Sequence, residues 1–167
     1  MKKAIYPGTF DPPTKGHEDI ARRALEIFDE LIIAVGDNFS KKTLFSAQER
    51  VQLWQEIFPN NPKITIISFT GLIVEFAKQN KAEIIVRGLR AISDFEYELQ
   101  IAETNRSLNP QIDTIFFTAK GRQLFVSSTI VKEIASLGGD ISNKAPANVC
   151  RALQEKFQIM NLKNNES

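Results

Sequence analysis

The sequence predicts an α/β domain, a parallel sheet with helices on both faces. Three observations predict it. Short β-rich runs alternate with helically patterned segments five times over, the signature of successive βαβ units. The run Leu31 to Val35 is apolar throughout, as a strand buried on both faces requires. The 167 residues suit one domain, and a chain of that size buries roughly 70% of the surface its unfolded state exposes.

Each element has local grounds. Ala4-Ile5-Tyr6 is the first strand, and Pro7 to Thr14 is a loop set by Pro7, Gly8, Pro12 and Pro13. A helix follows from about Gly16 to Phe28, with Ile20, Ala24 and Phe28 on one face. Beyond the strand Leu31 to Val35 lies a polar loop, Asp37 to Phe45. Ser46-Ala47-Gln48-Glu49 has the form of a capping box and opens a helix to about Phe58, with Val51, Trp54 and Phe58 at helical spacing. Lys63 to Ser68 is the third strand. Gly71 to Gln79 is the third helix, with Leu72, Ile73, Phe76 and Ala77 inward. Glu83 to Val86 is the fourth strand, and Ser93-Asp94-Phe95-Glu96 reads as a second capping box opening a helix to about Leu108. Ile112 to Thr118 is the fifth strand. Ser127 or Ser128 caps a helix stopped at Gly138-Gly139. Pro146 begins a last helix to about Phe157. The domain is expected to span 1–160, with the polar residues from Asn161 to Ser167 as a frayed tail.

Composition excludes several functions. The chain has one cysteine, Cys150, and one histidine, His17. An internal disulfide is impossible, and the two together cannot supply a structural zinc site. Any histidine-based mechanism must use His17. Lys and Arg total 21 against 20 Asp and Glu, a formal net charge of +1, which argues against a nucleic-acid binder with a basic surface. No apolar run approaches the ~20 residues of a membrane span. Ala4-Ile5-Tyr6 before Pro7 is too short for the apolar region of a secretory leader. The expectation is a cytoplasmic protein with a reduced thiol.

In open parallel sheets, ligands bind beyond the carboxyl ends of the strands, where strand order reverses. Four segments stand there. The first is the loop Tyr6-Pro7-Gly8-Thr9-Phe10-Asp11-Pro12-Pro13-Thr14-Lys15-Gly16-His17, long for a βα connection. Its prolines and glycines can bring backbone N–H groups close to an anion. The helix behind it offers free N–H groups and its dipole to the same place. His17, in the first helical turn, can donate to a phosphate oxygen. A histidine there has no capping advantage of its own, and the dipole disfavours its charged form. Neither a P-loop nor Gly-x-Gly-x-x-Gly is present. The second segment, Arg87-Gly88-Leu89-Arg90, offers guanidinium forks for phosphate around a glycine that permits close approach. Asp94, Glu96 and Glu98 follow as first-turn acids of the next helix. The third, Gln123-Leu124-Phe125-Val126-Ser127-Ser128-Thr129, ends in three hydroxyls before a helix. A cap explains one, and two more can bind anionic oxygens. The fourth is Ser40-Lys41-Lys42 in the loop after the second strand. Singly, each has a plain alternative: a turn with a surface histidine, solvated arginines, a serine cap, a solvated lysine pair. Arg22-Arg23 read as the exposed face of the first helix, Phe116-Phe117 as core, and Cys150 as a packed small residue. The four segments lie on one sheet edge, which points to a ligand with several phosphates and to a nucleotide enzyme.

Tyr6-Pro7-Gly8-Thr9-Phe10-Asp11-Pro12 with Thr14-Lys15-Gly16-His17 resembles the Thr/His-x-Gly-His signature of the nucleotidyltransferase superfamily. Arg87-Gly88-Leu89-Arg90, Asp94-Phe95-Glu96-Tyr97-Glu98 and Ser127-Ser128-Thr129-Ile130-Val131-Lys132 narrow the resemblance to the bacterial phosphopantetheine adenylyltransferase family, over about residues 2 to 157. The resemblance implies a Rossmann-like, doubly wound five-stranded sheet of order 3-2-1-4-5 with C-terminal helices. It implies reversible transfer of AMP from ATP to 4′-phosphopantetheine, yielding dephospho-coenzyme A and pyrophosphate. Mg²⁺, a homohexamer and feedback inhibition by coenzyme A go with it, while the metal ligands stay unassigned. By the same match, His17 and Lys41 are catalytic. Thr9, Phe10, His17, Gly88, Leu89, Arg90, Glu98 and the run Gln123, Leu124, Phe125, Val126, Ser127, Ser128 and Thr129 meet ATP. Thr9, Lys41, Ile73 and Arg87 meet 4′-phosphopantetheine. Thr129 stands where the family often has a third serine and keeps the hydroxyl. The nearest rivals are a transferase of the same superfamily with another phosphate acceptor, and a nucleotide-binding module without catalysis.

Overall fold

Five parallel strands form one sheet in the order β3-β2-β1-β4-β5, as the resemblance implies. The structure, a computed structural model, describes residues 2–38, 42–89, 92–118 and 126–165. The strands are β1 (Lys3–Gly8), β2 (Glu30–Gly36), β3 (Ile64–Phe69), β4 (Ile84–Leu89) and β5 (Asp113–Thr118). The described helices are α1 (Lys15–Ile27), α2 (Ala47–Ile57), α3 (Ile73–Gln79), α4 (Ile92–Leu108), α5 (Ser128–Ser136) and α6 (Ala147–Asn165).

Side-chain alternation along the central strands builds a core on each face of the sheet. Ala4, Tyr6, Leu31, Ile33 and Val35 face α1 and α2, where they meet Ile20, Ala24, Trp54 and Phe58. Ile5, Ile32 and Ala34 face the other way, toward Val74 and Ala77 of α3. A third cluster joins Leu53 of α2 to Val131 of α5 and to Val149 and Leu153 of α6. α5 in turn reaches the loop after β1, with Ser128 at the Pro12 carbonyl and Lys132 at Asp11.

Several boundaries differ from expectation. β4 runs to Leu89, so Arg87 and Gly88 belong to the sheet, in register with Phe116 and Phe117 of β5. The apolar run stops at Val86, which is why the strand seemed to end there. α4 begins at Ile92, so Ser93 lies inside the helix and not at its N-cap position. α3 starts only at Ile73, and Leu72 at its cap position is 58% exposed, not inward. The inward residues are Val74 and Ala77, with Ile73 and Phe76 packed beside them. α6 continues to Asn165, so the expected tail from Asn161 is mostly helix. Nothing in Gln158-Ile159-Met160-Asn161-Leu162 breaks a helix, and polarity alone does not end one. Pro146 precedes α6 and does not open it, its carbonyl accepting from the Cys150 amide at 3.0 Å. Phe117 is buried and Cys150 half-buried, as expected. Arg23 is not simply a surface residue. It donates to the Thr118 carbonyl at 2.7 Å and lies over the Phe117 ring.

Candidate active site

β1 and β4 are neighbours whose connections leave in opposite directions, and a cleft of about 790 Å³ opens at their carboxyl ends. Thr9, Phe10, His17, Ile73, Arg87, Gly88, Glu98, Val126, Ser127, Ser128 and Thr129 all line it. Leu89, at the end of β4, does not. Lys41, Arg90, Gln123, Leu124 and Phe125 lie outside the described residues.

The turn into α1 fixes His17. Thr14 is the N-cap, and its side-chain oxygen accepts from the His17 amide at 3.3 Å. In return, His17 Nδ1 accepts from the Thr14 amide at 3.1 Å. An imidazole here closes the capping box that a glutamate usually closes, so His17 does have a capping role, contrary to expectation. A backbone N–H only donates, so Nδ1 carries the lone pair and the proton sits on Nε2. The expected row of free amides at the start of α1 is also corrected. The Lys15 amide donates to the Lys144 carbonyl at 2.9 Å, and the His17 amide is held by Thr14. The α1 dipole remains for an anion, and His17 lines the cleft beside it.

Phe10 has a φ of 50° and turns its ring into the core. The ring meets Tyr6, His17 and Trp54 edge-on, each at 5.1 Å between centroids. Its side chain is thus used in packing, which leaves the backbone to face the cleft. Gly8 makes room for the ring, since a Cβ there would stand 2.6 Å from Phe10 Cζ.

On the β4 side, Arg87 and Glu98 form a two-point pair at 2.7 and 2.5 Å. A third bond runs from Arg87 Nη1 to the Pro7 carbonyl at 3.0 Å, tying β4 to β1. Burial works to lower the Arg87 pKa, but the bond and charge of Glu98, helped by Tyr6 and Tyr97, raise it overall. A guanidinium has five N–H groups, so two remain for a ligand beside the three bonds described. Glu98, read from sequence as a first-turn acid, is chiefly the partner of Arg87.

At α5, Ser127 is the cap, accepting from the Ile130 amide at 3.1 Å. Ser128 donates to the Pro12 carbonyl at 2.7 Å, so its proton docks α5 on the first loop and is not available to an anion in this arrangement. Thr129 is exposed and lines the cleft. Of the two hydroxyls expected to bind anions, Thr129 keeps that capacity in full.

Sequence reasoning missed four residues. Asp11, 5% exposed, accepts from the Leu44 and Phe45 amides, each at 2.9 Å, and from Lys132 Nζ at 2.7 Å. Arg50, 1% exposed, donates to the carbonyls of Thr9, Gly36 and Phe45 at 2.7, 2.8 and 3.0 Å. Burial lowers its pKa, and the charges of Asp11 and Asp37 offset part of that. The signal for Arg50 was available: it stands four residues before Trp54, on the buried stripe of α2. Ile101 and Asn105 line the cleft with Glu98, and their spacing of three and four residues places them on one face of α4. Lys42, already singled out in the fourth segment, also lines it. Among the described residues no group of three or more His, Cys, Asp or Glu side chains could hold a metal ion.

A parallel sheet with a cleft at its switch point, lined by Arg, Lys, His and hydroxyl groups, is the architecture of a nucleotide-handling α/β protein. Residues 5–134 match the sequence model of the cytidylyltransferase-like family. The fold agrees with a Vibrio parahaemolyticus protein described as a nicotinate-nucleotide adenylyltransferase, at TM-score 0.67 and 18% identity over 93% of each chain. A phosphopantetheine adenylyltransferase of Burkholderia lata is 49% identical over 160 residues, 96% of this chain and 97% of that one. One from Lachnoclostridium phytofermentans is 50% identical over 157 residues, 94% of this chain and 96% of that one. The chain belongs to the phosphopantetheine adenylyltransferase family, within the cytidylyltransferase-like nucleotidyltransferases.

Proposed function

We propose that the chain transfers the adenylyl group of ATP to 4′-phosphopantetheine, giving dephospho-coenzyme A and pyrophosphate, the penultimate step of coenzyme A synthesis. The observation that carries this reading is the convergence of His17, Arg87 and the start of α5 on one cleft, in a chain about half identical to phosphopantetheine adenylyltransferases.

The chemistry suits the groups present. A phosphate oxygen of the acceptor attacks the α-phosphorus of ATP, and the bond from that phosphorus to the pyrophosphate oxygen breaks. The acceptor is a phosphate monoester, already anionic near neutral pH, so no general base is required. What the protein must supply is alignment and charge stabilisation. His17 Nε2–H is the donor for the α-phosphoryl oxygens as charge develops, its ring held by Thr14 on one side and Phe10 on another. Arg87 is assigned to the acceptor, and Thr9, Phe10, Gly88, Glu98 and the Val126–Thr129 segment to the nucleotide side. Lys41 keeps its assignment as a second catalytic cation by family resemblance.

Magnesium is read as entering with the nucleotide, held by phosphate oxygens and water. The cleft fits no protein-held ion: Asp11 is bonded to two amides and Lys132, and Glu98 to Arg87. No step is assigned to the metal. A homohexamer is part of the reading, supported by the exposed Phe95, Tyr97, Leu99 and Leu108 on α4. Coenzyme A, which carries the product's whole framework, is read as a competing ligand. The proposed compartment is the cytoplasm. Among the described residues no helix is long and apolar enough to cross a membrane.

The test is pyrophosphate release from ATP with 4′-phosphopantetheine, and with other phosphate monoesters for comparison. Release only with another acceptor rejects the substrate assignment. His17→Ala is expected to lower turnover by about 10²–10³-fold, the usual effect of losing one preorganised donor, and to leave ATP binding far less affected. Unchanged turnover removes His17 from the mechanism.

A further inference from the structure

Two charged side chains, Asp11 and Arg50, are buried beside the cleft. Burying charged groups is costly, and apolar residues of the same volume generally pack as well or better. Stability alone is therefore a poor reason for these two. Their bonds form a pattern. The Phe45 peptide is gripped from both sides, its N–H by Asp11 at 2.9 Å and its carbonyl by Arg50 at 3.0 Å. Asp11 holds the neighbouring Leu44 amide as well. Arg50 also reaches the Thr9 carbonyl in the first loop and the Gly36 carbonyl at the end of β2. Lys132 of α5 closes on Asp11 at 2.7 Å. Three walls of the cleft thus meet at one carboxylate: the first loop, the segment that follows Lys42, and α5.

We propose that Asp11 is a positioning residue of the transfer reaction. With Arg50 it clamps the 44–45 backbone, and through Lys132 it fixes α5 at a set distance from the loop that carries Thr9 and His17. It acts on the reacting groups only through these neighbours. The inference rests on the reading that this cleft performs adenylyl transfer.

Asp11→Asn keeps the shape and changes the bonding. The amide oxygen can still accept one backbone N–H, but the NH₂ group faces a second N–H or the Lys132 ammonium, donor against donor. A displacement of about 1 Å at reacting groups costs on the order of 10² in rate. The expected result is therefore a fall in kcat of about 10²-fold, with KM for both substrates within about threefold. Hydrogen exchange supplies a readout that does not depend on activity. The Leu44 and Phe45 amides should lose about tenfold or more of their protection, while Ile32 and Ile33 in β2 keep theirs. A folded Asp11→Asn enzyme with wild-type kcat overturns the proposal, as does unchanged protection at residues 44 and 45. Should that variant fail to fold, Lys132→Met removes only the α5 arm. It is expected to cost about tenfold in kcat, with some loss of stability because Asp11 gives up its counter-charge; a folded Lys132→Met enzyme with unchanged kcat is equally fatal. If the wild-type enzyme releases no pyrophosphate, the functional reading fails, and the exchange measurement still decides whether Asp11 holds this backbone.

Discussion

Arg87 is assigned two tasks that a single substitution would confuse. It neutralises Glu98, and it is the proposed acceptor ligand. Arg87→Met removes two charge-assisted bonds to Glu98 and the bond to the Pro7 carbonyl. The Glu98 side chain, only 11% exposed, is then left without its counter-charge. Breaking a buried pair in this way costs about 3–5 kcal/mol. The lower end applies, about 3 kcal/mol, because Arg87 is itself 24% exposed and water can reach the vacated space. At about 2–4 °C per kcal/mol for a chain of this size, the melting temperature should fall by roughly 6–12 °C. Adding Glu98→Leu removes the orphaned carboxylate and should return most of that loss, because an apolar pair replaces the buried ions. The acceptor effect should behave differently. Losing a charge-assisted contact to phosphate costs about 1.5–3 kcal/mol, roughly 10- to 100-fold in KM for 4′-phosphopantetheine, and the second substitution cannot restore it. Steady-state titration of both substrates, beside thermal melts of the three proteins, measures every quantity. Recovery of the acceptor KM in the double variant would show that Arg87 serves only to neutralise Glu98. A selective loss of ATP affinity in the single variant would overturn the acceptor assignment.

Three further outcomes follow from local contacts. Gly8→Ala drives a methyl to 2.6 Å from a Phe10 ring already enclosed by Tyr6, His17 and Trp54. Overpacking of about 1–3 kcal/mol should appear in a thermal melt, with a fall in kcat because the displaced ring presses on His17; unchanged values on both counts would show that the ring is not confined. Burial raises the Cys150 thiol above its usual pKa, Asp140 adding to this and Lys15 opposing it. Alkylation at pH 8 should accordingly be slower than for a free cysteine, and an equal or faster rate contradicts the burial. At Glu49, burial pushes the pKa up, but Lys156 and the Ser46 cap outweigh it and the net shift is downward. Its stabilisation is present above the ordinary carboxylate value and is lost as pH falls through the lower folded one. The pair is 29% and 43% exposed, so about 0.5 kcal/mol is expected. Melts of the wild type and Glu49→Gln should differ at neutral pH and converge in acid; a gap that persists in acid would refute the linkage.

The sheet was legible because its signal is spread over many residues. An apolar run as short as Leu31 to Val35 favours a strand buried on both faces, and all five strands appear at the expected segments. Boundaries fared worse wherever a functional residue interrupts the pattern. Arg87 and Gly88 end the apolar run of β4 yet continue its ladder, because hydrogen bonding to β5 depends on the backbone and not on hydropathy. Strand order had no local signal and came only from the resemblance. At the site, the segments that line the cleft were legible where they are Gly-, Pro- or Ser-rich, as in the first loop and before α5, while the assignments of Ile73 and Glu98 came only from the resemblance. The residues that hold those segments were less legible. Asp11 passes as one more polar loop residue; Arg50 could be suspected from its place on the buried stripe of α2, but its backbone partners could not.

That asymmetry has a physical origin. A reaction whose nucleophile arrives already ionised asks the protein for geometry more than for proton transfer. The demand then falls on groups that fix backbone: Thr14 through the imidazole it orients, Asp11 and Arg50 through the carbonyls and amides they collect. Such groups bond to main chain, which every residue possesses. Their partners therefore leave no trace in side-chain identity, and the sequence cannot reveal the pairing until the fold brings it together. His17 shows the limit from the other side. Its place in the motif was readable, but its tautomer was not, since that depends on one amide three residues earlier whose direction only the cap geometry decides. If positioning is the main contribution, variants of these supporting residues should resemble variants of His17 in kcat while differing from them in backbone protection.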